Sequence, residues 1–147
     1  MTTKLIGIGT DHGGFTLKRC VVDAVRNQGH EVLDFGTNSE EPVDYPDFAH
    51  KLVDSFVAGA VDTGILLCGT GIGVSIAANR HNLIRAAVCY DTETALLARQ
   101  HNNANVLCLG GRKTNEELAI EMVEIFLSTD FLGGRHTRRL QKIGKTI

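Results

Sequence analysis

Tryptophan is absent from this 147-residue chain, proline occurs only twice, and aromatic residues are few. No apolar run approaches the length of about 18 residues that a membrane-spanning helix needs. The amino end, MTTKLIGIG, is interrupted too early for a signal peptide. These absences exclude a membrane span and predict a cytoplasmic protein with no membrane partner.

An excess of charge of either sign is also missing. The chain has 15 basic and 17 acidic residues and a formal net charge of −2, so no basic field favours binding to nucleic acid. Its cysteines show neither CxxC spacing nor a Cys/His grouping, so neither a disulfide framework nor a zinc site is indicated. We expect no metal and no other cofactor. Three of the cysteines are predicted to be core or near-core thiols: Cys20, Cys89 and Cys108.

Short apolar runs alternate with segments of helical spacing along the whole chain, as expected of one domain spanning residues 1–147. This alternation predicts a three-layer α/β/α sandwich: a doubly wound, Rossmann-like, five-stranded parallel sheet with a C-terminal helical extension. Ligands of such folds bind beyond the carboxyl ends of the strands. The predicted strands are Leu5–Ile8, Glu31–Phe35, Thr63–Leu67, Arg85–Cys89 and Asn105–Leu109.

The segment ILLCGTGIGVSIAANR, residues 65–80, predicts a buried strand, a glycine-rich turn and a helix from Val74 to Asn79. Gly69, Gly71 and Gly73 would let backbone N–H groups and the helix N-terminus face one small volume, which suits a phosphate or a developing oxyanion. Cys68 lies at the edge of this turn. It is either a thiolate base or nucleophile favoured by the helix N-terminus, or a small buried core residue.

Familiar phosphate-binding motifs fail in this turn. Val74 and Ile76 occupy the third-glycine positions of a dinucleotide fingerprint, and no lysine between Lys51 and Lys113 could complete a Walker loop. Val74 also stands where a cysteine phosphatase would need arginine. What remains is an anion-binding turn with a thiol beside it.

Polar residues follow other predicted strands. Asp11 and His12 come after the first strand, where they form a plausible acid–base or anion-binding pair, although Asp11 could simply cap the helix Phe15–Asn27. Tyr45 is predicted near the start of a helix that runs to about Val57. Its hydroxyl could touch a ligand, but packing is the simpler role.

His101 and Asn102 precede the fifth strand, so they are predicted at the amino ends of the strands, away from Cys68 of the same subunit. A neighbouring subunit could bring them together. The terminal segment 133–147 is basic, and Arg135 and Arg139 would share one helix face as a clamp for a phosphate dianion. The alternative for this segment is a solvated basic tail.

Together these residues resemble the B-type ribose-5-phosphate isomerase family, which also contains the galactose-6-phosphate and allose-6-phosphate isomerases. The resemblance spans essentially the whole chain, and its motifs are specific in combination. They are DHGG at Asp11–Gly14, DYPDFA at Asp44–Ala49, CGTGIGVSIAAN at Cys68–Asn79, RQHNNANVLCLGGR at Arg99–Arg112 and GGRHTRR at Gly133–Arg139.

The resemblance implies a metal-independent isomerase that interconverts ribose 5-phosphate and ribulose 5-phosphate through a cis-enediolate. The same mechanism on a tetrose 4-phosphate, allose 6-phosphate or galactose 6-phosphate is an alternative, and so is a non-catalytic module that binds a sugar phosphate. The family also implies a homodimer or a dimer of dimers, with each site built from two subunits.

The resemblance also assigns roles to residues. Cys68 would carry the proton between C1 and C2, and Thr70 would assist at the sugar oxygens. Asp11 and His101 would open the furanose ring, while Asn102 would bind sugar hydroxyls. The enediolate would lie on the amides of Gly69, Gly71 and Gly73. The phosphate would contact His12, Arg112, Arg135, His136 and Arg139.

Overall fold

The computed structural model of the chain describes residues 2–144. Strands and helices alternate through β5, and two helices follow it. The elements are β1 (Leu5–Thr10), α1 (Phe15–Asn27), β2 (Glu31–Asp34), α2 (Tyr45–Val57), β3 (Gly64–Cys68), α3 (Ile72–Ala78), β4 (Ala86–Val88), α4 (Thr92–Gln100), β5 (Val106–Gly110), α5 (Glu116–Ser128) and α6 (Arg135–Ile143).

The five strands form one parallel sheet in the order β2-β1-β3-β5-β4. β5 lies between β3 and β4, so the last residues of the two central strands, Cys68 and Gly110, are paired neighbours. The predicted doubly wound α/β sandwich is confirmed. Its carboxyl edge brings together the residues that follow β1, β3 and β5.

Two apolar cores cover the two faces of the sheet. One core packs α1, α4 and α5 against the sheet through residues such as Val21 and Phe126. The other packs α2 and α3 through Leu52 and Val74. Leu66 and Leu67 in β3 are fully buried, as the unbroken apolar run predicts. Burying each such side chain contributes about 1.5–3 kcal/mol.

Helix α3 begins two residues earlier than the sequence predicts, at Ile72 rather than Val74. Gly71 is its N-cap and has a φ of +81°, which favours glycine. Gly73 therefore lies in the first helical turn, not in the glycine turn. Glycine is required at this position by a tertiary contact, because a Cβ there would lie 2.6 Å from the ring of Tyr45.

Capping side chains set two other helix starts. The Asp91 carboxylate accepts a hydrogen bond from the amide of Thr94 (2.7 Å), and α4 begins at Thr92. The Asn115 side chain accepts from the amide of Leu118 (2.8 Å), and α5 begins at Glu116.

The basic terminal segment forms α6, which is the predicted helical extension. Residues 145–147 of the predicted phosphate-binding segment 133–147 lie outside the described residues. Within residues 2–144, no helix combines the length and the apolar character needed to cross a bilayer.

Candidate active site

Cys68 ends β3 at the carboxyl edge of the sheet, and its thiol is directed back into the glycine turn. Its Sγ accepts a hydrogen bond from the amide of Gly71 at 3.1 Å, and the residue is only 4% exposed. The left-handed backbone of Gly71 turns this amide toward the sulfur. An N–H group aimed at sulfur stabilises a thiolate more than a thiol.

The other three cysteines are free thiols, and each lies in an apolar core or packs against one, as predicted. Burial raises the pKa of Cys89 to about 11, and burial together with the nearby Cys68 and Cys89 raises the pKa of Cys108 well above its usual range. Burial also raises the pKa of Cys20. These three thiols stay protonated near neutral pH.

Thr70 lies at the centre of the turn and is fixed from two sides. Its Oγ1 accepts from the amide of Ile72 (3.1 Å), which leaves its hydroxyl proton free to be donated to a ligand. Its carbonyl oxygen accepts from the hydroxyl of Tyr90 at 2.6 Å. Sequence reasoning missed Tyr90, although its place just after β4 puts it at the carboxyl edge.

Asp11 joins the turn from β1. Its amide donates to the carbonyl of Leu67 (3.2 Å), while its Oδ1 accepts from the amides of Gly13 (2.8 Å) and Gly14 (3.2 Å). The N-cap of α1 is Gly14, and no side chain caps the helix. Asp11 therefore orders the turn that leads into α1 instead of acting as its N-cap residue.

His12 is oriented by a backbone amide from the connection between β2 and α2. The amide of Val43 donates to His12 Nδ1 at 3.2 Å. A neutral imidazole with Nδ1 as acceptor carries its proton on Nε2. His12 thus offers an N–H donor, a suitable group for binding a phosphate oxygen.

Tyr45 and Arg112 close the sides of the glycine turn. The Tyr45 ring packs over Gly73, and its side chain is 41% exposed. The amide of Arg112 donates to the carbonyl of Gly69 (3.0 Å), and its guanidinium lies beside Gly69. The carboxyl edge therefore assembles nine of the predicted site residues: Asp11, His12, Tyr45, Cys68, Gly69, Thr70, Gly71, Gly73 and Arg112.

The remaining predicted residues form a second group at the other edge. His101 follows α4, and its ring stacks on the ring of His136 with centroids 4.3 Å apart and planes 16° apart. Burial, together with the nearby His101, Arg135 and Arg139, lowers the pKa of His136. Arg135 and Arg139 are exposed and stand one turn apart on α6. A neutral imidazole beside two exposed guanidiniums makes a surface that can receive an anion.

Asn102 is exposed next to His101 and lines a cavity of about 290 Å³ together with Ile143 of α6. His101 and Asn102 of this group precede β5, and His136 lies against His101, whereas Cys68 ends β3. The two groups thus occupy opposite ends of the parallel strands within one subunit. Among residues 2–144 there is no cluster of three or more His, Cys, Asp or Glu side chains that could hold a metal ion.

Comparison with known proteins accounts for this arrangement of motifs. Residues 6–143 match the ribose/galactose isomerase family. Ribose-5-phosphate isomerase B of Escherichia coli is 46% identical over 140 residues, which are 95% of this chain and 94% of the relative.

Solved structures agree in fold over almost the full length. A ribose 5-phosphate isomerase of Thermotoga maritima is 53% identical, with a TM-score of 0.95 and coverage of 99% of this chain and 100% of the other. Ribose-5-phosphate isomerase B of Mycoplasma genitalium, solved with bound ribulose 5-phosphate, is 44% identical, with a TM-score of 0.88 and coverage of 95% and 93%. These matches confirm the family and the isomerase class that the motifs predicted, and the chain belongs to the ribose/galactose isomerase family.

Proposed function

We propose that this protein interconverts ribose 5-phosphate and ribulose 5-phosphate by proton transfer through a cis-enediolate. The observation that carries the proposal is the contact between the Cys68 thiol and the Gly71 amide, at the edge of a turn rich in N–H donors. Support also comes from the names of the relatives and from the ribulose 5-phosphate bound to the Mycoplasma genitalium protein.

In the proposed reaction the Cys68 thiolate takes the proton from C2 of the open-chain aldose and returns it to C1. The C2 hydroxyl becomes the ketone as the C1 carbonyl becomes a hydroxyl, so the reaction is balanced without an oxidant. Negative charge builds on the enediolate oxygens, where the amide of Gly69 and the hydroxyl of Thr70 can stabilise it, while the amide of Gly71 stays on the Cys68 sulfur. These donors are already in place before substrate binds.

Ring opening and phosphate binding use groups from both edges of the sheet. Asp11 and His101 move protons at the furanose oxygens, and Asn102 binds sugar hydroxyls. The Nε2 proton of His12 is free to meet a phosphate oxygen because Val43 occupies Nδ1. The other proposed phosphate ligands are cationic or neutral donors: Arg112, Arg135, His136 and Arg139.

A homodimer, or a dimer of dimers, would unite the two edges. Ile72 and Ile76 beside the glycine turn are 49% and 56% exposed, and Leu132 and Ile143 beside the second group are 61% and 62% exposed. A two-fold axis can place the first apolar patch of one subunit against the second patch of its partner, and it repeats this contact twice. Each pairing would then complete one active site.

An isomerase assay on four-, five- and six-carbon aldose phosphates tests the proposed activity. We expect the highest kcat/KM with ribose 5-phosphate. A preference for allose 6-phosphate, galactose 6-phosphate or a tetrose 4-phosphate would keep the mechanism but reassign the substrate. Binding of these compounds without turnover would show a non-catalytic sugar-phosphate module instead.

Removing the exposed arginines of α6 tests the proposed phosphate clamp. Arg135→Ala and Arg139→Ala should each raise KM for a phosphorylated sugar, because each loses a charge-assisted contact worth about 1.5–3 kcal/mol, or roughly 10- to 150-fold. Arg138→Ala is the matched control, since Arg138 is exposed on the same helix and lies between them. If the KM of all three variants equals the parental KM, α6 is a solvated basic tail.

A further inference from the structure

Arg99, the last arginine before His101, bonds to two separate stretches of chain. Its Nη1 donates to the Asn103 side-chain oxygen (3.0 Å) and to the carbonyl of Ala104 (2.6 Å). Its Nε donates to the carbonyl of Thr129 at 3.0 Å. One guanidinium therefore joins the turn 101–105 to the segment 129–134.

Each of these stretches carries part of the second group of site residues. The turn carries His101 and Asn102, and the segment leads directly into α6 with His136. A single backbone hydrogen bond, from the amide of Leu132 to the carbonyl of Gln100 (3.1 Å), also links the segment to the end of α4. The stacking of His101 on His136 thus depends on how the two stretches are held together.

The turn contains a residue with an uncommon backbone conformation. Asn103 has a φ of +44°, in the left-handed region, which asparagine adopts more readily than most residues with a side chain. Arg99 binds the side-chain oxygen of Asn103, and the Arg85 Nε binds its carbonyl at 2.9 Å. The two arginines fix both oxygens of this residue.

The contacts require arginine rather than any cation. Neither of the two ion pairs found within residues 2–144 includes Arg99, so its donors serve carbonyl and amide oxygens. Its guanidinium also lies 5.7 Å from the centre of the Phe126 ring. A planar guanidinium can donate to acceptors on two segments and stack on an aromatic ring, whereas a lysine ammonium is a point charge on a flexible side chain.

We propose that Arg99 is a positioning residue: by joining the turn 101–105 to the segment 129–134, it sets the stacked geometry of His101 and His136. This inference rests on the proposed isomerase function for its catalytic consequence. Arg99 needs no contact with substrate in this role. It acts by fixing the plane of the His101 ring and the start of α6.

The test compares Arg99→Lys with Arg26→Lys, a matched change at an exposed arginine of α1. Arg99→Lys should lower kcat/KM for ribose 5-phosphate by about 10- to 100-fold, the cost of a small misplacement in a catalytic arrangement. It should also shift the His136 ring resonances and raise the pKa of His136 in an NMR titration, because His101 no longer stacks on it. Arg26→Lys should change neither quantity.

A folded Arg99→Lys protein with parental His136 titration and parental kcat/KM would overturn the proposal. If Arg99→Lys does not fold, Arg99→Gln decides, because its shorter, uncharged side chain cannot reach the acceptors of both stretches at once. Altered His136 resonances in that variant support the proposal, and unaltered ones refute it. Should the parent isomerise no sugar phosphate, the proposed function fails, while the NMR comparison still tests Arg99 by itself.

Discussion

Replacing Cys68 with alanine is expected to lower kcat by about 10²- to 10⁴-fold, the usual worth of a positioned acid–base group. The thiol acts on the proton, whereas backbone amides and cationic side chains hold the ligand. Affinity for ribitol 5-phosphate, which has no carbonyl to isomerise, should therefore stay close to that of the parent. Turnover measurements and calorimetric titration with ribitol 5-phosphate separate the two effects.

Cys20→Ala is the control for this experiment, because Cys20 is a half-buried thiol on α1 that belongs to the opposite core. It should retain parental kcat. A Cys68→Ala protein that is folded and fully active would remove Cys68 from the chemistry. A variant that loses binding and turnover together would instead indicate a structural role for the thiol in holding the Gly71 amide.

Mixing two inactive variants is expected to restore turnover if each site spans two subunits. Cys68→Ala and His101→Ala should each be nearly inactive. In a mixed dimer, one site holds both defects and the other holds neither. Random pairing makes half of the dimers mixed, so co-expression should recover roughly a quarter of parental activity under two-fold symmetry.

The control is the same pair of variants purified separately and assayed without subunit exchange, which should stay inactive. Differently tagged chains allow the mixed dimers to be isolated before the assay. Isolated mixed dimers without turnover would contradict the shared site. The ring-opening group would then have to lie at the same edge as Cys68, where Asp11 and His12 are the available residues.

The strands and the sandwich were predictable because their signals are local. Each strand is a short apolar run, and α1 begins and ends at the predicted residues, Phe15 and Asn27. The start of α3 was not predictable in this way. Glycine at position 73 reads as part of a flexible turn, but its cause is the Tyr45 ring, which is distant in sequence and meets it only in the folded protein.

The same distinction holds for the site. Cys68, Thr70 and Gly71 form one contiguous motif, so their proximity follows from the sequence. Tyr90 and Arg99 donate hydrogen bonds to carbonyl groups that are 20 and 30 residues away in the sequence. Such long-range contacts cannot be recognised from the spacing of neighbouring residues. A motif can show which residues meet a ligand, but it does not show which residues hold the motif in place.

The placement of the Cys68 turn and the α6 arginines at opposite edges bears on how such a protein could change its substrate preference. If two copies build each site, the span from the proton-transfer end to the phosphate end is set by how the copies are offset, not by the sheet. A small shift of one copy relative to the other would then change the length of sugar that fits the site. The contacts within the Cys68 turn, where proton transfer is proposed, would stay the same. Mutations at Ile72, Ile76, Leu132 or Ile143 would be the natural places to look for altered chain-length preference.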